Sequence, residues 1–166
     1  VHVADVSYYV PEGSELDEEA LERSYTQYLP WTAVPMLPDK LSSNVCSLHQ
    51  GVDRCAFTCM MELDKHANVL SWDFHRSIVK ITKSITYEQA MEMMKNGDDD
   101  IKALAEVTAL LKQNRTKDGL LEFQSTEFGC KFNEKGEPEK IYPRTTDESN
   151  SWVEECMLIA NNCCAK

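Results

Sequence analysis

The sequence has no apolar run that approaches the roughly 20 residues of a membrane-spanning helix, so no membrane partner is expected. No basic stretch leads into an apolar one, and a secretory signal is therefore not visible. Positive charge is scarce: 17 Lys and Arg stand against 28 Asp and Glu, a net charge of −11. A surface of that sign repels polyanions, so nucleic acid cannot be held here by surface charge alone. Metal ions, or basic domains elsewhere in a parent chain, would have to supply the positive field. An initiator Met is missing, residue 1 already stands inside an alternating run, and Lys166 ends a helical pattern. Natural domains usually begin and end in loops. The segment is expected to be a piece cut from a longer polypeptide.

A disulfide framework is also lacking. The seven cysteines (Cys46, Cys55, Cys59, Cys130, Cys156, Cys163 and Cys164) cannot all pair with one another, and two of them are adjacent in a helical pattern. A reducing compartment, the cytoplasm, is the expected location. The Asn114-Arg115-Thr116 sequon carries little weight without a secretory signal. What is present suits one domain with a real core: 166 residues, 42% apolar and 27% charged, with no internal repeat or low-complexity tract.

Residues 1–10 alternate and predict a strand that ends at the Pro11-Glu12-Gly13 turn. Residues 16–26 predict a short helix with acidic residues in its first turn, where the dipole favours them. Residues 54–63 place Cys55, Phe57, Cys59, Met61 and Leu63 on one face. A turn at residues 64–68 leads to a second run with Leu70, Trp72, Phe74 and Ile78, and together these predict a hairpin. Helices are predicted from Thr86 and from Asp100, the second with a stripe of Ile101, Leu104, Ala105 and Leu111. A second hairpin fits residues 127–142, turning at 133–136. The last helix runs from Ser151, with Trp152, Cys156, Ile159, Ala160 and Cys163 as its buried side. The expected class is α+β, a mainly antiparallel sheet with packed helices.

Few residues announce chemistry by themselves. Cys46, His49, Cys55 and Cys59 match no common structural zinc spacing, and strand periodicity puts Cys55 and Cys59 in the core as buried thiols. No cysteine stands out as a nucleophile. The "NGDDD" run at 96–100 reads as a solvated turn in which Asp100 caps the next helix. "YLPWTAVPMLPDKLSSNVCSL", residues 28–48, is different. Its prolines, Pro30, Pro35 and Pro38, forbid a continuous helix and a central strand, yet it is rich in large apolar side chains.

The blocks "VHVADVSYYVPEGSELDEEALERS", "YLPWTAVPMLPDKLSSNVCSL" with "GVDR", "RSIVKITKSITYEQA", "GLLEF" and "VEECMLIAN" occur in one order across the whole chain. Together they closely resemble the catalytic RNB domain of the ribonuclease II and ribonuclease R exoribonucleases. The last block leans toward the ribonuclease R branch. The family's metal-binding aspartate cluster lies just upstream of the "VHVADVS" block, and its arginine-bearing segment lies downstream. Neither is in this chain, so residues 1–166 resemble the central part of an RNB domain. Asp5 belongs to the following strand rather than to that cluster.

The resemblance implies a processive 3′→5′ exoribonuclease that threads single-stranded RNA into a narrow channel and releases nucleoside 5′-monophosphates. Mg²⁺ is the implied cofactor, with its ligands upstream of residue 1. OB-fold domains of the same parent chain are the implied basic RNA path. Within this chain the resemblance implies no catalytic or metal-ligating residue. It implies RNA-binding roles for Tyr28 and Phe123, which would clamp terminal bases by stacking, and for Tyr87 and Glu154 near the sugar. A phenol and a carboxylate can each bond a ribose 2′-OH, which separates RNA from DNA. On residues alone, Tyr28 and Phe123 could be core aromatics, and Glu154 could complement a helix dipole. Trp31 and Trp72 read as packing residues. Two other readings stay open: a non-catalytic RNB-like RNA-binding or scaffolding protein, and an α+β interaction domain unrelated to RNA.

Overall fold

A computed structural model describes residues 1–29, 31–120, 128–133, 136–143 and 148–166. Its centre is the long hairpin of β4 (Asp53–Leu63) and β5 (Val69–Lys80), paired antiparallel from Asp53↔Lys80 to Leu63↔Val69, with an irregularity at Glu62/Leu63. The Asp64 side chain forms the turn by accepting from the Asn68 and His66 backbone N–H groups and from Asn68 Nδ2. β1 (His2–Ala4) adds antiparallel to β4, which gives the sheet order β1-β4-β5.

The predicted ten-residue strand at the start stops early. Asp5, 5% exposed, turns the chain into the one-turn helix α1 (Val6–Tyr9), where its carboxylate accepts from Tyr8 N–H and Ser7 Oγ. Alternating residues could not reveal this, because a capped turn keeps the same apolar count. α2 (Glu15–Arg23) follows as expected, with Ser14 as its cap. The proline segment then forms a minimal hairpin, β2 (Gln27–Tyr28) against β3 (Ala33–Val34), and a single π-helical stretch at Lys40–Val45.

Three further helices complete the layer over the sheet. α3 (Tyr87–Asn96) opens with a full capping box: Thr86 Oγ1 accepts from Gln89 N–H, and Gln89 Oε1 accepts from Thr86 N–H. α4 (Asp99–Lys117) is capped by Asp98, two positions before the expected Asp100, whose place is inside the first turn. α5 (Glu148–Cys164) packs on α4 and on the sheet. The core joins Cys59 and Ala67 to Leu111, Ile159, Ala160 and Cys163, with Met61, Leu63, Val69 and Phe74 packed against it. Cys59 and Cys163 are thus buried free thiols, and desolvation pushes the Cys59 thiol up from its usual range. A separate hairpin, β6 (Phe128–Phe132) and β7 (Pro138–Pro143), follows the predicted pairing. Among the described residues no helix is long and apolar enough to cross a membrane.

The expected apolar face of the long hairpin is only half covered. Cys59, Met61 and Phe74 meet the helices, whereas Phe57 and Trp72, each 42% exposed, and Ile78, 74% exposed, stay open. Trp72 therefore does not pack in the core; Lys166 Nζ lies 5.9 Å from its ring centroid instead.

Candidate nucleic-acid interface

Tyr28 sits at the end of β2, opposite Ala33, in a turn closed by Leu29 N–H donating to Thr32 O at 2.8 Å. Arg23 Nη1 donates to Pro35 O at 3.2 Å, which ties the proline segment back to α2. The Tyr28 ring is 82% exposed, so it is not a core aromatic. A large apolar ring held out on a fastened turn has its entropic cost met in advance, as a stacking surface requires. Trp31, expected to be a packing residue, is 69% exposed beside it. Phe123 lies outside the described residues, as do Pro30 and the Glu134-Lys135 pair of the expected turn.

Tyr87 is the first residue of α3, directly after the Thr86 cap, and is partly open to solvent. Its carbonyl accepts from Ser149 Oγ at 3.3 Å, which joins the start of α3 to the first turn of α5. Glu154 lies on α5 beyond that first turn, since the helix begins at Glu148. Dipole effects fade within the first turn, so the helix-terminus reading of Glu154 does not fit. Its carboxylate is largely exposed and stands 3.8 Å from Arg115 Nη2. The structure therefore joins the helix that starts at Tyr87 to the helix that carries Glu154, and it places Tyr28 on a separate turn.

Sequence reasoning passed over the pair that fixes Glu154. Glu155, next to it, is 2% exposed. It accepts from Arg115 Nε at 3.0 Å and from Nη2 at 2.6 Å, a bidentate bond between α4 and α5. A fork of this kind sets orientation as well as attraction. The signal was present: Ser149, Trp152, Glu155, Ile159 and Cys163 share helical spacing. A glutamate in that stripe calls for a cationic partner.

Metal ligands are a different matter. Among the described residues no group of three or more His, Cys, Asp or Glu side chains converges to hold an ion. Asp5 is already engaged by Ser7, Tyr8 N–H and, at 3.3 Å, Arg76 Nε. Mg²⁺ does not fit the side chains described here.

The model of the RNB domain family matches residues 1–166. The chain is 37% identical to ribonuclease R 2 of Lactococcus lactis, over 97% of its own length and 26% of that protein's. It is also 37% identical to the human exosome complex exonuclease RRP44, over 100% of its own length and 18% of that protein's. Among solved structures, Mycoplasma genitalium RNase R in complex with ribose-methylated single-stranded RNA superposes with a TM-score of 0.88 at 27% identity, covering 96% of this chain and 26% of that one. The chain spans about a quarter or less of these relatives' length. With a match from the first residue to the last, and with the α+β architecture in place, the chain belongs to the RNB domain family.

Proposed function

We propose that this chain is the central part of an RNB domain in a processive 3′→5′ exoribonuclease, and that it lines the path of single-stranded RNA. The observation that carries the reading is Tyr28, 82% exposed at the end of β2 beside a hydrogen-bonded turn. Such a ring offers every base the same π-face, so it suits an enzyme that moves along RNA whatever its sequence. Tyr87 and Glu154 are the proposed readers of the sugar, and Phe123 the ring opposite Tyr28. The names of the relatives, ribonuclease R and an exosome exonuclease, support the reaction class.

Mg²⁺ belongs to the proposal through ligands outside the described residues, where it would polarise the phosphate. OB-fold domains of the same protein would supply basic surface, and the cytoplasm is the proposed location. The test uses the full-length protein on a single-stranded RNA. Tyr28→Ala should lengthen the shortest product on a gel more than it slows degradation of long RNA, because long substrates keep their remote contacts. An unchanged limit product removes Tyr28 from the clamp. Tight RNA binding by the unmodified protein without any hydrolysis in Mg²⁺ assigns the non-catalytic alternative.

A further inference from the structure

Beside Tyr28 lies an open groove of about 730 Å³, bounded on one side by the β2–β3 turn and on the other by the β6–β7 hairpin. Trp31 is 69%, Phe128 68% and Ile141 70% exposed along it. Isolated apolar residues on a surface need no explanation, but a contiguous set around one concavity marks a binding surface. Among the described residues no other ring stacks on Tyr28, Trp31 or Phe128, so their faces are open.

The far wall is closely packed at one point. A Cβ on Gly129 would lie 2.6 Å from Tyr142 Cζ, so only glycine lets the Tyr142 ring lie across β6.

The charge pattern selects the occupant. The chain carries −11, and other clefts are lined by charged side chains: Arg115, Lys166, Asp118 and Glu155 in one, Asp17 in a second, Lys112, Glu148 and Glu155 in a third. No Asp, Glu, Lys or Arg among the described residues lines the aromatic groove. A polyanion lying in it meets no carboxylate among these lining residues, and its rings offer contacts to bases rather than to phosphates.

We propose that this groove is a further base-binding site for single-stranded RNA, in which Trp31 and Phe128 stack on nucleobases beyond those held by Tyr28. The proposal rests on the RNA-path reading above. It adds two residues and a direction: the strand leaves Tyr28 toward the β6–β7 hairpin.

The test is the binding of a fluorescently labelled oligoadenylate to the full-length protein, with a chelator present so that the RNA stays intact. Trp31→Ala and Phe128→Ala should each weaken binding by roughly ten-fold, within the range of one lost base stack. Trp31→Phe, which keeps a ring, should bind close to the unmodified protein. An RNA of the same length with abasic sugars should bind all these proteins equally, because its phosphates remain and its bases are gone. Both side chains are exposed, so their removal should leave the circular dichroism spectrum and melting temperature unchanged. If Tyr28→Ala weakens binding while Trp31→Ala and Phe128→Ala do not, the groove is not a base site and the Tyr28 reading stands. If the reverse holds, the groove stands and the Tyr28 reading falls. If Trp31→Ala changes the sedimentation coefficient and not RNA affinity, the groove is a contact between copies and the proposal is overturned.

Discussion

At the scale of single residues, Arg115 and Glu155 carry the clearest consequence. The carboxylate is sealed between α4 and α5 with both oxygens on one guanidinium. Removing the arginine strands a buried charge, so Arg115→Met should cost about 3 kcal/mol in denaturant unfolding. The double variant Arg115→Met, Glu155→Met should recover most of that loss, because apolar side chains of similar size can replace a buried pair. If the single and double variants are equally unstable, the pair is not the cause. The sugar readers make a separate prediction for the full-length protein. Replacing Tyr87 and Glu154 by Ala should narrow the RNA-to-DNA ratio of kcat/KM by on the order of 10²-fold, if each bond tightens in the transition state. The ratio is the informative quantity, since misfolding lowers both rates together. An unchanged ratio leaves Tyr87 and Glu154 without a role at the sugar. Of these residues, the exposure of Tyr28 was foreshadowed in sequence by Pro30 two positions on and by the family block that contains it. The burial of Glu155 was readable from its place in the apolar stripe of α5, but its partner Arg115 was not, because the two lie 40 positions apart.

Among the elements, the turn between β4 and β5 is held by an ionised side chain. Hydrogen bonds from Asn68 and His66 keep the Asp64 carboxyl below its ordinary range, the Asn68 side chain contributing most. A depressed folded pKa stabilises above the unfolded value and stops doing so as pH falls through the folded one. The melting temperature should therefore drop on acidification through and below the ordinary carboxylate range, and more steeply than in Asp64→Asn. Parallel pH profiles for the two proteins would count against this. The Thr86 box makes a second, pH-independent prediction: Thr86→Ala should cost about 1 kcal/mol and loosen the start of α3, where Tyr87 sits. The long hairpin and the stripe of α4 were readable from their apolar periodicity, and the β6–β7 pairing from two alternating runs around a Gly-containing turn. The early end of β1 was not, because the alternating apolar residues run on past Asp5, whose burial is matched by a charge partner, Arg76, distant in sequence. Nor was the π-helical stretch, which no spacing of apolar residues specifies.

For the whole molecule, the open half of the β4–β5 face matters most. Phe57, Trp72 and Ile78 share that face and remain exposed. Contiguous apolar surface of this kind favours association, so this chain alone should sediment as larger species with rising concentration. Ile78→Lys should reduce that trend with little effect on stability, within about 0.5 kcal/mol. A concentration-independent monomer would show that the face is tolerated in water. The sheet order also sets an order of events in time. β4 and β5 meet through a short turn, whereas His2 must find Thr58 across 56 positions of chain. Closing the longer loop costs about 2 kcal/mol more in chain entropy, so β1 docks after the hairpin exists. Its few backbone bonds, such as Asp5 N–H to Cys55 O, are then the last to form and the first to open. In hydrogen exchange the amide protons of the first strand should be lost well before those in the middle of β4.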